Sequence, residues 1–563
     1  MYWKTIGAVL SAVAMLVAAC APRAPADSQR AADGAAPAAP GAPKRITTAM
    51  MGNPPLVYQR IVGGGSGGQI PGIDALEALL NVGLTVKDNR GILQAQLAEA
   101  VPTLENGLWR VFPDGRSETT WKLKPGILWH DGTPFTSADL VFLTRLEQDP
   151  VLPVERQPAY GVIDGIDAPD PSTITVRWKS PYIEADDFFS RSPLPRHILE
   201  RPYLEEKESF VALPFWGPEF VGTGPYRLRE WVRDSYAILT ANDRYPLGRP
   251  KIDTIEVRFL ADENAFIAAI LAGTIDVTLG KSITLEQTLA LRDQWRDGRI
   301  EMVAETAMKI WPQFINPNPP VIQDVRFRRA VFHAIDRQEM VDNIMGGLSS
   351  IAHTVLLPHE PELAEVESAL VKYDYDPRRA TQMIEGLGFT RGADGFFRDG
   401  AGQRLNVEIS ATAEDQNTKP MLATANYWQR LGIGVDPVSI PIQRQRDREY
   451  RATFPGFTLQ GGGSGVAAIK GSHGSQARLP ENNYTGSNYS RYQNPEFDAL
   501  IDRFLTTIPR AERAEALRPV VRHMTDQLSM MNLYYATTST MVKHHVQNVP
   551  VRTPWNVQDW DLK

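Results

Sequence analysis

The chain has 563 residues, of which 43% are apolar and 22% charged, and a formal net charge of -7. That length exceeds the roughly 250–300 residues at which a single hydrophobic core stops growing, so more than one domain is expected. The composition is ordinary for a globular protein, and the acidic balance excludes the basic footprint of a nucleic-acid binder.

The first twenty residues carry Lys4 as their one positive side chain, an apolar run from Ile6 to Val17, and then Ala18-Ala19 before Cys20. This is a secretory signal pattern, too short and wrongly flanked for an ordinary membrane span. The ending Leu16-Val17-Ala18-Ala19-Cys20 resembles a bacterial lipobox, in which Cys20 is acylated and becomes the first mature residue. A cleaved signal beside an incidental cysteine is the alternative. Residues 21–44 are dominated by Ala, Pro and Gly and cannot bury a core. Such a segment extends at about 3.1 Å per residue and reads as a tether reaching ~70 Å.

Beyond the tether, strand and helix patterns alternate. Leu56–Val62 is an apolar run stopped by glycines and reads as a strand. Thr136 is placed to cap a helix with Asp139 at the reciprocal position, and Pro150 ends that region. Ile174–Trp178 alternates as a strand should. Asp324 is expected to cap a helix with Phe327, Val331, Ala334 and Ile335 on one face, ended by Gly346-Gly347. The basic runs at residues 326–329 and 444–448 read as solvated helix faces. Asp376-Pro377 and Asn494-Pro495 each set a capping residue before a proline at the first helical position. No repeat of solenoid period is present.

Several segments in order resemble family 5 of the bacterial ABC-transporter solute-binding proteins, the peptide, nickel and opine group. They are Trp121–Gly126 running into Trp129–Thr136, then Gly222-Thr223-Gly224-Pro225-Tyr226, and Tyr245–Pro250. Ala269–Val277, Asp324–Arg337, Tyr373–Pro377 and Tyr484–Asp498 follow. The resemblance implies an α/β, two-lobed periplasmic-binding-protein fold of the class II type, with an extra inserted domain and a hinge of crossover strands. It implies lobe I at 45–84, 214–305 and 533–563, the inserted domain at 85–213, and lobe III at 306–532. It also implies a small solute held between the lobes and partnership with ABC permease and ATPase subunits. Attachment to the membrane would be by the lipid anchor only. A monomer with no cofactor, no metal and no catalytic residue is expected.

The pentapeptide Gly-Gly-Gly-Ser-Gly occurs twice, at Gly63–Gly67 and Gly461–Gly465. Each follows an apolar run, and glycine lets a backbone approach a ligand closely. The implied topology sets the two on opposite lobes. Gly63, Gly64, Gly65 and Ser66 are therefore expected to meet Gln460, Gly461, Gly462, Gly463 and Ser464 across the cleft, two flexible surface turns being the alternative. Trp311, Gln313 and Phe314, just beyond the crossover strand at Lys309-Ile310, are expected as pocket walls, with Asn483 and Tyr484 adding hydrogen bonds. In peptide-binding relatives an aspartate of the second-lobe segment pairs with the peptide amino terminus. The matching stretch here, Phe457–Leu479, contains no acid and carries Lys470, His473 and Arg478. This departure tilts the reading towards a neutral or anionic solute.

Two rival readings remain. Gly64-Gly65-Ser66-Gly67-Gly68 matches the G-x-S-x-G hydrolase elbow, which would make Ser66 a nucleophile, but Pro71-Gly72 interrupts the helix that motif requires. A metal chelate held by Arg and aromatic residues is the other; a bare-metal site lacks ligand spacing. His130-Asp131 sits in a turn with no nucleophile nearby and is read as structural.

Overall fold

A computed structural model describes residues 42–58, 70–152, 158–280, 283–550 and 555–563. Chain order begins with β1 (Arg45–Met50), the short pair β2 (Thr85–Lys87) and β3 (Leu93–Ala95), then β4 (Trp109–Val111) and β5 (Ser117–Lys122). Next come β6 (Ile163–Asp170), β7 (Thr173–Trp178), β8 (Tyr226–Val232), β9 (Tyr236–Ala241), β10 (Thr254–Phe259) and β11 (Val277–Thr278). The long β12 (Gly298–Pro312) precedes the small hairpin β13 (Thr390–Arg391) and β14 (Phe397–Arg398). The series continues through β15 (Asn406–Thr412), β16 (Gly434–Ile440), β17 (Phe457–Gln460) and the long β18 (Met531–Lys543).

Ten of these strands form one sheet in the order β16-β15-β17-β12-β18-β11-β1-β10-β9-β8. Its centre is the antiparallel pair β12 and β18, which runs from Gly298 opposite Lys543 to Ile310 opposite Met531. One end of the pair borders β11 at Val542, and the other borders β17 at Lys309–Pro312. Two strands thus cross from one half of the sheet to the other, and the fold is two-lobed. Register shifts at Ala304/Thr306 and Ala307/Lys309 fall where the crossing occurs. Bulges bend a strand and sharpen its twist, which is what redirects the sheet there.

β4, β5, β7 and β6 make a separate four-stranded sheet, inserted in sequence between β1 and β8. Its buried face, with Trp121, Ile174, Val176 and Trp178, belongs to one apolar cluster with Trp311, Ile469, Phe497, Ile501, Phe504 and Val520. The inserted sheet therefore packs against the helices of the β12–β17 half.

The capping chemistry legible in the sequence is present. Thr136 and Asp139 form a reciprocal box at the start of helix Ser137–Gln148, and β7 covers the alternating Ile174–Trp178 run. Asp376 and Asn494 accept the N–H of Arg379 and Phe497 at the starts of helices Pro377–Glu385 and Pro495–Thr506. Three expectations are corrected. The segment after Asp324 is two helices, Val325–His333 and Arg337–Ile344, because Asp336 accepts the N–H of Glu339 and caps anew. Arg328 is buried rather than solvated, and its guanidinium donates to the carbonyls of Ile322, Gln323 and Gln527. Leu56–Tyr58 is not in a strand, and Gln59–Val62 lies outside the described residues.

Candidate functional site

Strand alternation separates two faces where β12, β17 and β18 meet. Met308, Ile310, Phe457, Leu459, Met531 and Leu533 point into one apolar core. The opposite face carries Lys309, Trp311, Thr458, Gln460 and Asn532, all of them buried. Lys309 stands opposite both Gln460 on β17 and Asn532 on β18, so the three polar side chains form one row across three strands. Trp311 stands opposite Thr458, one step along the same face.

The loop Gly461–Ser464 closes over this row. Thr306 donates its hydroxyl to the carbonyl of Gly462, and Lys309 Nζ donates to the carbonyl of Gly463 at 2.7 Å. A Cβ on Gly462 would lie 3.4 Å from the Trp311 ring and 3.5 Å from Lys309 Nζ, ordinary contact distances that put this residue against both side chains. Gly465 has φ +60, and a Cβ there would come within 2.2 Å of Glu360 Oε1. The tightest glycine of the second pentapeptide is therefore its last.

The donor balance of the row is unusual. Lys309 is fully buried, and among the described residues Gly463 is the one hydrogen-bond partner of its ammonium. Burial with no acid beside it pushes its pKa down to about 7, and an unpaired buried cation costs several kcal/mol. Among the described residues Trp311 Nε1, Gln460 Nε2 and the Ser464 hydroxyl are buried without a hydrogen-bond partner, as is Asn532 Oδ1. Each such group costs about 1–3 kcal/mol if nothing meets it. Arg451 Nη2 donates to Gln460 Oε1 at 2.6 Å, which fixes the Gln460 amide by its oxygen and leaves its nitrogen as the unpartnered end. Tyr489 packs at 5.3 Å from Trp311, the rings tilted at 47°, and lies under the Arg478 guanidinium at 3.5 Å.

Not every expected residue joins this group. Gln313 is buried, donates to the carbonyls of Ala452 and Phe454, and accepts from the N–H of Ile315. Phe314 packs on Tyr492 at 4.7 Å and beneath Arg328 at 4.6 Å. Both are thus engaged with residues other than those of the polar row. Asn483 and Tyr484 form a left-handed turn, with the Tyr484 hydroxyl on Glu449 at 3.0 Å. Gly63, Gly64, Gly65 and Ser66 lie outside the described residues, as does Cys20. The sequence reading passed over Lys309, Arg451 and Tyr489. A lysine inside the apolar run Ala307–Trp311 was the available signal; nothing comparable marks the other two.

A second constellation joins two of the quoted motifs. His130 is buried, its Nε2–H donates to the carbonyl of Gly224 at 3.0 Å, and its Nδ1 accepts the N–H of Gly222 at 3.2 Å. Burial pushes its pKa down to about 4, so it is neutral at physiological pH. Both ring nitrogens are committed to backbone, which makes it a strut. Among the described residues no three His, Cys, Asp or Glu side chains are grouped to hold a metal ion, and no helix is long and apolar enough to cross a membrane.

The "Putative ABC transporter peptide-binding protein" of Brucella ovis is 28% identical over 264 residues. That match spans 47% of this chain and 48% of the relative, about half the length of each. The oligopeptide-binding protein AppA of Bacillus subtilis is 22% identical over 510 residues, 86% of this chain and 87% of that one. The crystal structure of NikA from Brucella suis in complex with Fe(III)-EDTA superposes with a TM-score of 0.72 at 18% identity, covering 92% of this chain and 100% of that one. The family model of bacterial extracellular solute-binding proteins, family 5 Middle, matches residues 99–468. Taken with the crossing strands, that match identifies the chain as a member of the bacterial extracellular solute-binding proteins, family 5.

Proposed function

We propose that the chain is the extracytoplasmic solute-binding component of an ABC importer, capturing one small solute per chain between its lobes and passing it to the permease. It is a carrier and not an enzyme. The observation that carries this reading is the buried polar row on β12, β17 and β18, set where two strands cross between the halves. Buried groups without partners are tolerated where a ligand or water completes them. Trp311, Gln460, Gly461, Gly462, Gly463 and Ser464 form the ligand face of the second lobe.

The division into lobe I (45–84, 214–305, 533–563), inserted domain (85–213) and lobe III (306–532) follows from this reading. Residues 1–20 act as the signal, Cys20 as the acylated anchor and 21–44 as the tether. Contacts from one solute to both lobes favour closure, and a micromolar ligand supplies about 8 kcal/mol for it.

The test is a thermal-shift screen of the full chain against peptides, oligosaccharides, opines and metal chelates, followed by X-ray scattering with the hits. A saturable rise in melting temperature, one-to-one binding and a smaller radius of gyration are expected. Conversion of a hit to product, or binding without compaction, sinks the reading.

A further inference from the structure

The row under the Gly461–Ser464 loop is almost entirely a set of donors. Among the described residues Lys309 has one acceptor, the Gly463 carbonyl, for its three N–H groups, and Trp311 Nε1–H, Gln460 Nε2–H and the Ser464 hydroxyl have none. Among the described residues no carboxylate forms an ion pair with Lys309, Arg451 or Arg478; their polar contacts run to Gly463, to Gln445 and Gln460, and to Gly486. The acids of neighbouring segments are otherwise engaged. Glu360 accepts the N–H of Leu357, Glu449 accepts from Tyr484, Glu414 from Thr412 and Asn417, and Glu305 from Thr538.

Resting on the solute-binding reading above, we infer that this face selects an anionic solute, with a carboxylate received by Lys309, Trp311 Nε1, Gln460 Nε2 and Ser464. A carboxylate offers about four lone-pair positions and no donor, the complement of that set. A free ammonium group would instead meet the positive charges of Arg451 and Arg478 beside the Lys309 amine, with Asn532 Oδ1 as its one unpartnered acceptor among the described side chains of the row. The row's one unpartnered acceptor, Asn532 Oδ1, suits a ligand that also bears an N–H or O–H near its carboxylate. Trp311 and Tyr489, tilted at 47° to each other, offer an aromatic corner for the remainder of the molecule. Arg451 is a positioning residue, acting through Gln460.

Calorimetry on the full chain tests this with matched probes: pools of N-acetylated tripeptides with a free carboxylate, the same pools as amides, free-amine amides, lactate, malate and citrate, and neutral oligosaccharides. The unaltered chain is expected to favour free carboxylates over their amides by about tenfold or more, and K309M to abolish that preference. The ligand-free melting temperature of K309M is expected to hold or rise, because a buried charge is removed. W311F, which keeps the ring and loses the N–H, is expected to weaken carboxylates more than amides. Equal binding of acids and amides, a preference for free-amine amides, or a K309M chain that still discriminates overturns the anion inference while the carrier reading stands. If no probe of any charge binds, the carrier reading falls and this inference with it. Should K309M not accumulate, the acid-against-amide comparison on the unaltered chain decides alone.

Discussion

Gly222 donates its backbone N–H to Nδ1 of His130 at 3.2 Å, tying the turn after Trp129 to the connection that enters β8. The bond requires a neutral imidazole, which makes the fold acid-sensitive. The folded pKa, about 4, lies below the unfolded value near 6.5, so the unfolded chain binds more protons between those limits. The contribution is complete above pH 6.5 and is lost as pH falls towards 4, by up to about 3 kcal/mol. Urea unfolding of the unaltered chain and H130Q at pH 5 and pH 7.5 checks this. H130Q is expected to be less stable by about 1–3 kcal/mol at pH 7.5, with the gap narrowing at pH 5. His353, His333 and His523 are also shifted down by burial and appear in both proteins, so the difference isolates His130.

The same connection admits no side chain. A Cβ on Gly222 would fall 2.0 Å from the Leu80 carbonyl oxygen, and one on Gly224 would fall 2.4 Å from the Leu80 carbonyl carbon. The obstruction is backbone and cannot rotate away. Either alanine variant is expected to lose about 3 kcal/mol or more, read as a fall in the urea midpoint or as insoluble expression. A midpoint unchanged from the parent chain contradicts the packing described.

Gly463 and Gly465 separate binding from folding. Gly463 lacks a positive φ, and a Cβ there meets Ala468 at an ordinary 3.5 Å. Gly463→Leu is expected to leave the melting temperature near that of the parent and to weaken the best ligand about tenfold. Unchanged affinity would remove the loop from the ligand face. Gly465→Ala, strained at φ +60 and pressed on Glu360, is expected to cost about 1–3 kcal/mol of stability.

Arg328 and Arg337 are buried cations bonded to carbonyls, Arg337 to those of Ala352, Asn532 and Tyr373. Burial lowers both to about 10, so both stay charged at neutral pH. Arg328→Met and Arg337→Met are each expected to lose about 2–4 kcal/mol, since several buried acceptors lose their donor at once. Lysine, with no planar fork, is expected to restore less than half of that. Chemical denaturation measures both.

Local chemistry was readable from the chain alone. Asp324, Asp376 and Asn494 cap helices because a short acceptor ahead of a helical run meets its own backbone within three residues, and that bond needs no distant partner. The two-lobed architecture was available only through the resemblance of the ordered motifs to a known family, whereas turns such as His130–Thr133 are specified by adjacent residues. Tertiary structure decided what depends on contacts far apart in sequence. Whether Arg328 meets solvent is settled by the carbonyl of Gln527, and the direction of Gln313 by those of Ala452 and Phe454. The polar row arises only when β12, β17 and β18 come side by side, joining Lys309, Gln460 and Asn532 from positions up to 223 residues apart in one plane of the sheet. Alternation along a strand sorts residues into two faces, but only the pairing of strands decides which face of each is shared and what the shared face must bind.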